Sequence, residues 1–213
     1  MAGKDNHQHL FFQEPINKRK SIQKTKMTPG AHLLISWLSS VEVLKERRER
    51  ALVALSGVAP DLDGLGIIPD KLIGTTNYYF EFHHYLGHSI ISTFLIAGIA
   101  SFFAKSQKLA VWLLAFILVH VHIFCDVIGS KGPDGYHWPV YYLYPFDSKF
   151  ELTWKYQWEL NAWQNQVIMI ILLLMCLYYA YSKKITFLEV FSQSLDKEAF
   201  KMYKKYVKNQ TKS

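Results

Sequence analysis

Whatever chemistry this chain performs rests on its nine histidines and a few isolated acids. The densest group is Phe82-His83-His84-Tyr85-Leu86-Gly87-His88-Ser89. On a helix His84 and His88 stand at i and i+4, the spacing by which two imidazoles chelate one ion. His83 then projects about 100° away, toward a second ion, a substrate or nothing. His122 and Asp126 repeat the i, i+4 spacing at the close of an apolar block, where an unpaired charge is expensive. They can reach one metal ion or share one proton. His120 points to the other side of that helix and reads better as a packed histidine bonded to a neighbouring helix.

Asp61 and Asp63 follow Pro60 in Ala-Pro-Asp-Leu-Asp-Gly. Two carboxylates so close repel unless a positive charge sits beside them. An EF-hand loop starting at Asp61 needs Glu at its twelfth position, and that residue is Leu72. A phosphatase-type aspartate needs a parallel α/β sheet, and no alternating strand pattern supports one. Metal ligation by the pair remains, against an Asp-rich turn. His32 gains meaning only from its position early in a helix. His137 reads as a surface residue, and His7 and His9 belong to a tail.

The elements that must position these residues are helical. Half of the 213 residues are hydrophobic and 15% aromatic, with 19% charged, below the roughly 25% usual for soluble domains. Disorder is excluded, and two cysteines inside apolar sequence exclude a disulfide scaffold. The net charge of +7 comes from Lys and Arg at the two ends: ten of the 24 lie in residues 1–50 and eight in 183–213. Such groups flank membrane segments rather than line a docking face, so no nucleic acid is expected as a partner. Residues 89–104, 109–125 and 166–182 lack any Asp, Glu, Lys or Arg. Each falls short of the roughly 20 residues that cross a bilayer, and each can borrow from its flanks. Trp154, Trp158 and Trp163 suit the headgroup level ahead of the last block.

The expected fold is all-α: an integral membrane helical bundle of about four core helices with a fifth, C-terminal membrane helix. Residues 1–26 read as a basic tail, 27–150 as the metal-site bundle, 151–182 as the C-terminal membrane helix and 183–213 as a second, partly helical basic tail. Thr28-Pro29 opens the first helix as N-cap and first helical residue. Leu33, Leu34, Trp37, Leu38, Val41 and Leu44 then follow the 3.6-residue period. The second helix is expected over 51–59, the third over 82–104 and the fourth over 109–128. Basic turns at 45–50 and 105–108 join them. If these four run up, down, up and down, then His32, Asp61, Asp63, His83, His84, His88, His122 and Asp126 gather at one end. The turn at 45–50 contains neither Gly nor Pro. A straight helix through it would carry His32 about 40 Å from Asp61.

At these residues the chain resembles the YdjM-like family of bacterial inner-membrane proteins, regarded as metal-dependent hydrolases. The resemblance lies in His32, Pro60-Asp61-Leu62-Asp63, His83 through Ser89, His122 with Asp126, and an aromatic loop of Trp138-Pro139 and Pro145-Phe146. It covers about residues 27–147. The family's commoner His-Arg-Gly-x-Thr-His-Ser run sets its two histidines five apart and favours His83, while helical spacing favours His84. Members tend to begin near the first histidine, which makes Met27 an alternative start. The resemblance implies a multi-pass protein of the bacterial inner membrane.

The reading drawn from residues and resemblance together is a membrane-bound metal-dependent hydrolase. Its metal ligands are His32, Asp61, His84, His88, His122 and Asp126, with Asp63 and His83 as second-ion ligand or general base. Imidazole and carboxylate without thiolate suit Zn²⁺, then Mn²⁺ or Fe²⁺. Water activated by the ion would attack an ester or phosphoester of a small molecule or a membrane lipid. The alternatives are a divalent-metal transporter and a non-enzymatic membrane protein with a structural metal. The basic turns and the C-terminal tail place the site at the outer, periplasmic face. The basic N-terminal tail opposes that orientation, unless the first two helices lie in the interface without crossing.

Overall fold

The computed structural model describes residues 29–132 and 135–210. The basic tail expected over 1–26, the alternative start Met27 and the cap Thr28 lie outside the described residues. Among the described residues there is no β-strand, only two isolated bridges, Lys131 with Glu159 and Val140 with Leu152.

Helix α1 (Pro29–Val41) buries Leu34, Trp37, Leu38 and Val41 along its apolar stripe. The chain then turns back into α2 (Arg47–Ser56), so 29–59 is not one straight helix. The turn holds without Gly or Pro for two reasons. Leu44 is buried as a plug at 1% exposure. The guanidinium of Arg50 donates to the turn carbonyls of Leu44 (3.1 Å) and Lys45 (2.6 Å), which satisfies acceptors that burial would orphan. The expected basic turn at 45–50 is therefore half turn and half helix, with Glu49 and Arg50 buried.

After α2 a 3-10 helix (Ala59–Gly66) carries both aspartates and runs into α3 (Ile67–Ile73) and α4 (Tyr78–Phe82). Helix α5 spans Ile90–Phe103, not 82–104. Ser89 caps it, accepting from the Ser92 N–H at 3.2 Å. His84, at φ +70°, leaves the right-handed helical region and ends any helix through 83–89. Helix α6 (Lys108–Gly129) returns antiparallel to α5. Ala97, Ala100 and Ala104 meet Val111, Ala115 and Leu118 in one buried cluster, small residues that let helices approach closely. Helix α7 (Trp163–Ser182) begins twelve residues later than expected. Residues 151–162 instead lie against the end of α6 through bonds such as Trp158 N–H to Ile128 O, 3.0 Å. Trp158 is spent there, its indole donating to Asn165 at 2.9 Å, while Trp163 stays 69% exposed.

Residues 183–213 are more than a basic tail. A 3-10 helix (Phe187–Val190) precedes α8 (Gln193–Gln210). Glu189 is 2% exposed. It receives Arg50 through two parallel bonds of 2.7 Å and Trp37 Nε1 at 2.9 Å. Glu49 accepts the N–H groups of Lys105 and Ser106 at 3.1 and 2.9 Å. These contacts gather the α1–α2 turn, the α5–α6 turn and the segment after α7 at one end of the bundle.

Among the described residues two helices are long and apolar enough to cross a membrane, α6 and α7. A third crossing results only if α2 and Ala59–Ile73, bent by 46°, count as one broken span. Helices α1, α2 and α5, with 13, 10 and 14 residues, reach only about 15–21 Å at 1.5 Å per residue.

Candidate metal centre

The end of the bundle opposite Glu189 collects the chemistry-bearing residues. Helix α1 brings His32 into its first turn. The 3-10 helix after α2 brings Asp61 and Asp63, the loop before α5 brings His84 and His88, and the last two turns of α6 bring His122 and Asp126. The exposures of His32, His84, His88, His122 and Asp126 are all 4% or less.

Three atoms define the middle of the group. Asp126 Oδ2 stands 3.0 Å from His122 Nε2 and 3.2 Å from His88 Nε2, and the two imidazole nitrogens are 3.2 Å apart. The other ring nitrogens fix the tautomers. His122 Nδ1 faces the Gly57 carbonyl at 2.7 Å, and a carbonyl can only accept. His88 Nδ1 donates to Asp63 Oδ2 at 2.9 Å. With both rings neutral, each Nε2 therefore turns a lone pair toward the other and toward a carboxylate oxygen that accepts no well-formed hydrogen bond. Three converging lone pairs in a buried site repel unless a cation stands among them. Their separations match the roughly 3.3 Å edge of a tetrahedron built on Zn–N bonds of about 2.0–2.1 Å.

The remaining expected ligands surround this triangle. His32 Nε2 lies 3.6 Å from Asp126 Oδ1, and its ring stacks on His122 at 3.8 Å. Asp61 Oδ1 lies 3.8 Å from His122 Nε2, with Oδ2 unbonded. The Asp61 side chain, 21% exposed, is the open edge of the group. His84 contributes a buried Nδ1 with no hydrogen-bond partner. Three triads each have their ligand atoms within 4.8 Å of one another: His32, His122 and Asp126; Asp61, His88 and His122; His84, His88 and Asp126. All six residues expected as ligands are in them.

Asp63 and His83 stand one step behind. Asp63 Oδ1 meets His83 Nδ1 at 2.7 Å. Its Oδ2 accepts from His88 Nδ1 and from the backbone N–H groups of His84 and Gly87, at 3.1 and 3.0 Å. Both oxygens are committed, so Asp63 orients His88 rather than facing the centre, a carboxylate–histidine pairing typical of metal sites. His84 and His88 are not an i, i+4 helical pair. They converge because the chain reverses at His84 and closes on Asp63. Gly87 is required for that closure, since a Cβ there would meet the Pro60 carbonyl oxygen at 2.1 Å.

Electrostatics point the same way. Burial alone would push the His88 imidazole down, but Asp126 and Asp63 facing it raise it to about 10. Burial, reinforced by His83 and His88, holds His84 well below the ordinary histidine value, which keeps it neutral with its lone pair free. The pocket thus demands positive charge, which a proton or a divalent cation supplies. Trp138, from the aromatic loop, roofs the loop histidines with ring centroids 5.7 and 5.8 Å from His83 and His84. His120 is apart, bonded to the Phe116 carbonyl and the Tyr142 hydroxyl at 2.8 Å each.

Sequence reasoning missed the Gly57 carbonyl, the anchoring role of Asp63 and the closeness at Gly87. Gly87-His88-Ser89 did hold a signal for the last, a helix breaker followed by an N-cap.

No curated protein and no solved structure matches the chain. A family described as YdjM inner membrane protein matches residues 24–191. That range takes in every residue of the centre, both membrane-length helices and the buried Glu189. It spans well over half of the chain, which therefore belongs to the YdjM inner membrane protein family.

Proposed function

We propose that this protein is a multi-pass membrane hydrolase whose centre holds a divalent metal, Zn²⁺ by the chemistry of its donors, and cleaves an ester or phosphoester. The observation that carries the reading is Asp126 Oδ2 within 3.2 Å of two imidazole lone pairs whose tautomers are fixed from behind. The donor set of nitrogen and oxygen without sulfur suits Zn²⁺, with Mn²⁺ and Fe²⁺ next. His88, His122 and Asp126 would hold the ion, with His32 or His84 beside them. When bound, such an ion supplies positive charge opposite a substrate oxygen and lowers the pKa of water from 15.7 toward about 7.

The chain's own residues do the rest. Asp63 and the Gly57 carbonyl keep His88 and His122 in the metal-binding tautomer. Asp61, at the open edge with a free oxygen, takes the proton from the attacking water and returns it to the leaving oxygen. The balance is that of hydrolysis: water oxygen bonds to carbon or phosphorus, the bond to the leaving oxygen breaks, and the proton ends on that oxygen. The test is elemental analysis of detergent-purified protein followed by a panel of ester and phosphodiester substrates. Metal with turnover that His122→Ala abolishes is the expected result. Metal accumulation in proteoliposomes without hydrolysis of any substrate would hand the centre to a transport role.

A further inference from the structure

The segment between Asp61 and the loop histidines exposes apolar surface that the hydrolase reading does not use. Leu62, Leu65, Ile68 and Leu72 are 61%, 52%, 53% and 81% exposed. At spacings of three and four they share one face of the 3-10 helix and α3 that follow each other over Ala59–Ile73. Ile73 at 57%, Phe82 at 43% and Leu86 at 50% are further exposed apolar residues in the chain between this face and the histidine loop. Lys71 and Glu81 are the exposed charges beside this face. Asp70 turns inward, its two oxygens accepting the N–H groups of Tyr78 and Tyr79 at 2.8 Å each. An exposed apolar helix face of this kind is a contact surface.

What covers it follows from its neighbours. The patch continues α2, and the two together are apolar enough for a span although bent by 46°. It also lies at the end of α6 where Asp126 sits, so the membrane-length helix and the patch meet at the centre. A membrane-crossing α6 would present Phe124, 62% exposed, to the same lipid. Asp61, the open edge of the centre, directly precedes Leu62 in the chain.

We propose that the apolar face of residues 62–73 lies in the lipid leaflet, and that the substrate of the centre is a membrane lipid ester or phosphoester entering sideways from the bilayer. The substrate half rests on the hydrolase reading above. The lipid's acyl chains would lie along Leu62, Leu65, Ile68 and Leu72, with its ester or phosphoester at Asp61. Water is consumed as before: it gives its oxygen to the acyl carbon or phosphorus and its proton to the departing alcohol.

Two measurements on the full chain in phosphatidylglycerol and phosphatidylethanolamine vesicles test this. Single cysteines at Leu65 and Ile68, with Cys125 and Cys176 replaced, are labelled with an environment-sensitive fluorophore. Quenching by a nitroxide on the lipid acyl chains and shielding from aqueous iodide are expected. Quenching by iodide overturns the placement, and shielding from both quenchers assigns the face to a protein neighbour and overturns it as well. In the second measurement, Leu65→Ser/Ile68→Ser is compared with wild type on vesicle lipid, on p-nitrophenyl acetate and on bis-p-nitrophenyl phosphate. Loss of two apolar lipid contacts should lower vesicle hydrolysis by about tenfold or more, with metal content and soluble-substrate turnover kept. Equal effects on vesicle and soluble substrates overturn lateral entry. A metal-loaded wild type inactive on every probe overturns the hydrolase reading and the substrate assignment with it, while the quenching still decides where the face lies.

Discussion

Asp63→Asn separates orientation from ligation at this centre. The native carboxylate receives four donors: His83 on Oδ1, and His88, His84 N–H and Gly87 N–H on Oδ2. An asparagine that keeps its carbonyl oxygen at the Oδ2 position preserves three of them. Its NH₂ then faces His83, which can switch tautomer and accept. The loop should therefore stay folded while His88 loses the negative charge behind it. Loss of such a partner costs about 10- to 100-fold in metal affinity, or about 1.4–2.8 kcal/mol. Asp63→Ala strands all four donors at about 1–3 kcal/mol each, a large share of a total stability of about 5–15 kcal/mol. It should unfold the loop. Chelator competition on purified Asp63→Asn, with a thermal melt alongside, reads both quantities. Wild-type affinity in that variant would refute the orienting role. Loss of metal as complete as in His88→Ala, with the melt unchanged, would make Asp63 a ligand.

Four further outcomes are expected. His88→Ala or Asp126→Ala should leave purified protein depleted of metal by elemental analysis, whereas His120→Ala, on the far face of α6, should keep it. Gly87→Ala forces its Cβ onto the Pro60 carbonyl at 2.1 Å; overpacking of this kind costs about 1–3 kcal/mol, visible as a lower melting temperature together with lost metal. Glu189→Ala leaves Arg50 buried and unpaired, at about 3–5 kcal/mol, so the melt should fall sharply although the change is far from the centre. Ser148→Cys and Ser194→Cys, both exposed and in a background without Cys125 and Cys176, should divide in intact cells treated with an impermeant thiol reagent. Labelling at 148 and protection at 194 place the centre at the outer face, and the reverse places it in the cytoplasm. Ser130, nearer the centre, is only 5% exposed and unsuited to such labelling.

The grouping of chemistry at one end of a helical bundle could be read from the chain because it needs only helix count, connection length and the position of each His and Asp. The paired spacing of His122 and Asp126 was equally plain, since both lie inside a regular helix. The histidine loop was not. Helical periodicity pairs His84 with His88 at i and i+4, but the actual pairing depends on a left-handed residue at His84 and four donors converging on Asp63. Convergence of that kind is tertiary and has no period. Glu189 was hidden for the same reason: among eight lysines and three acids, a glutamate there looks solvated. Its distant partners Arg50 and Trp37 explain its burial.

The bond between Arg50 and Glu189 also sets an order of events in biosynthesis. The partners are 139 residues apart in the chain. At about 5–20 residues per second, the ribosome takes roughly 7–28 s to travel between them. Through that interval the Arg50 guanidinium can hold the turn carbonyls of Leu44 and Lys45 but lacks its carboxylate partner. The α1–α2 hairpin therefore cannot reach its final packing until the last membrane helix has been delivered and the chain has emerged beyond it. A nascent chain arrested at residue 185 should remain protease-sensitive between α1 and α2, and one extended past 190 should become resistant. The segment around Glu189 thus locks the end of the bundle opposite the candidate centre only after both membrane-length helices have been made.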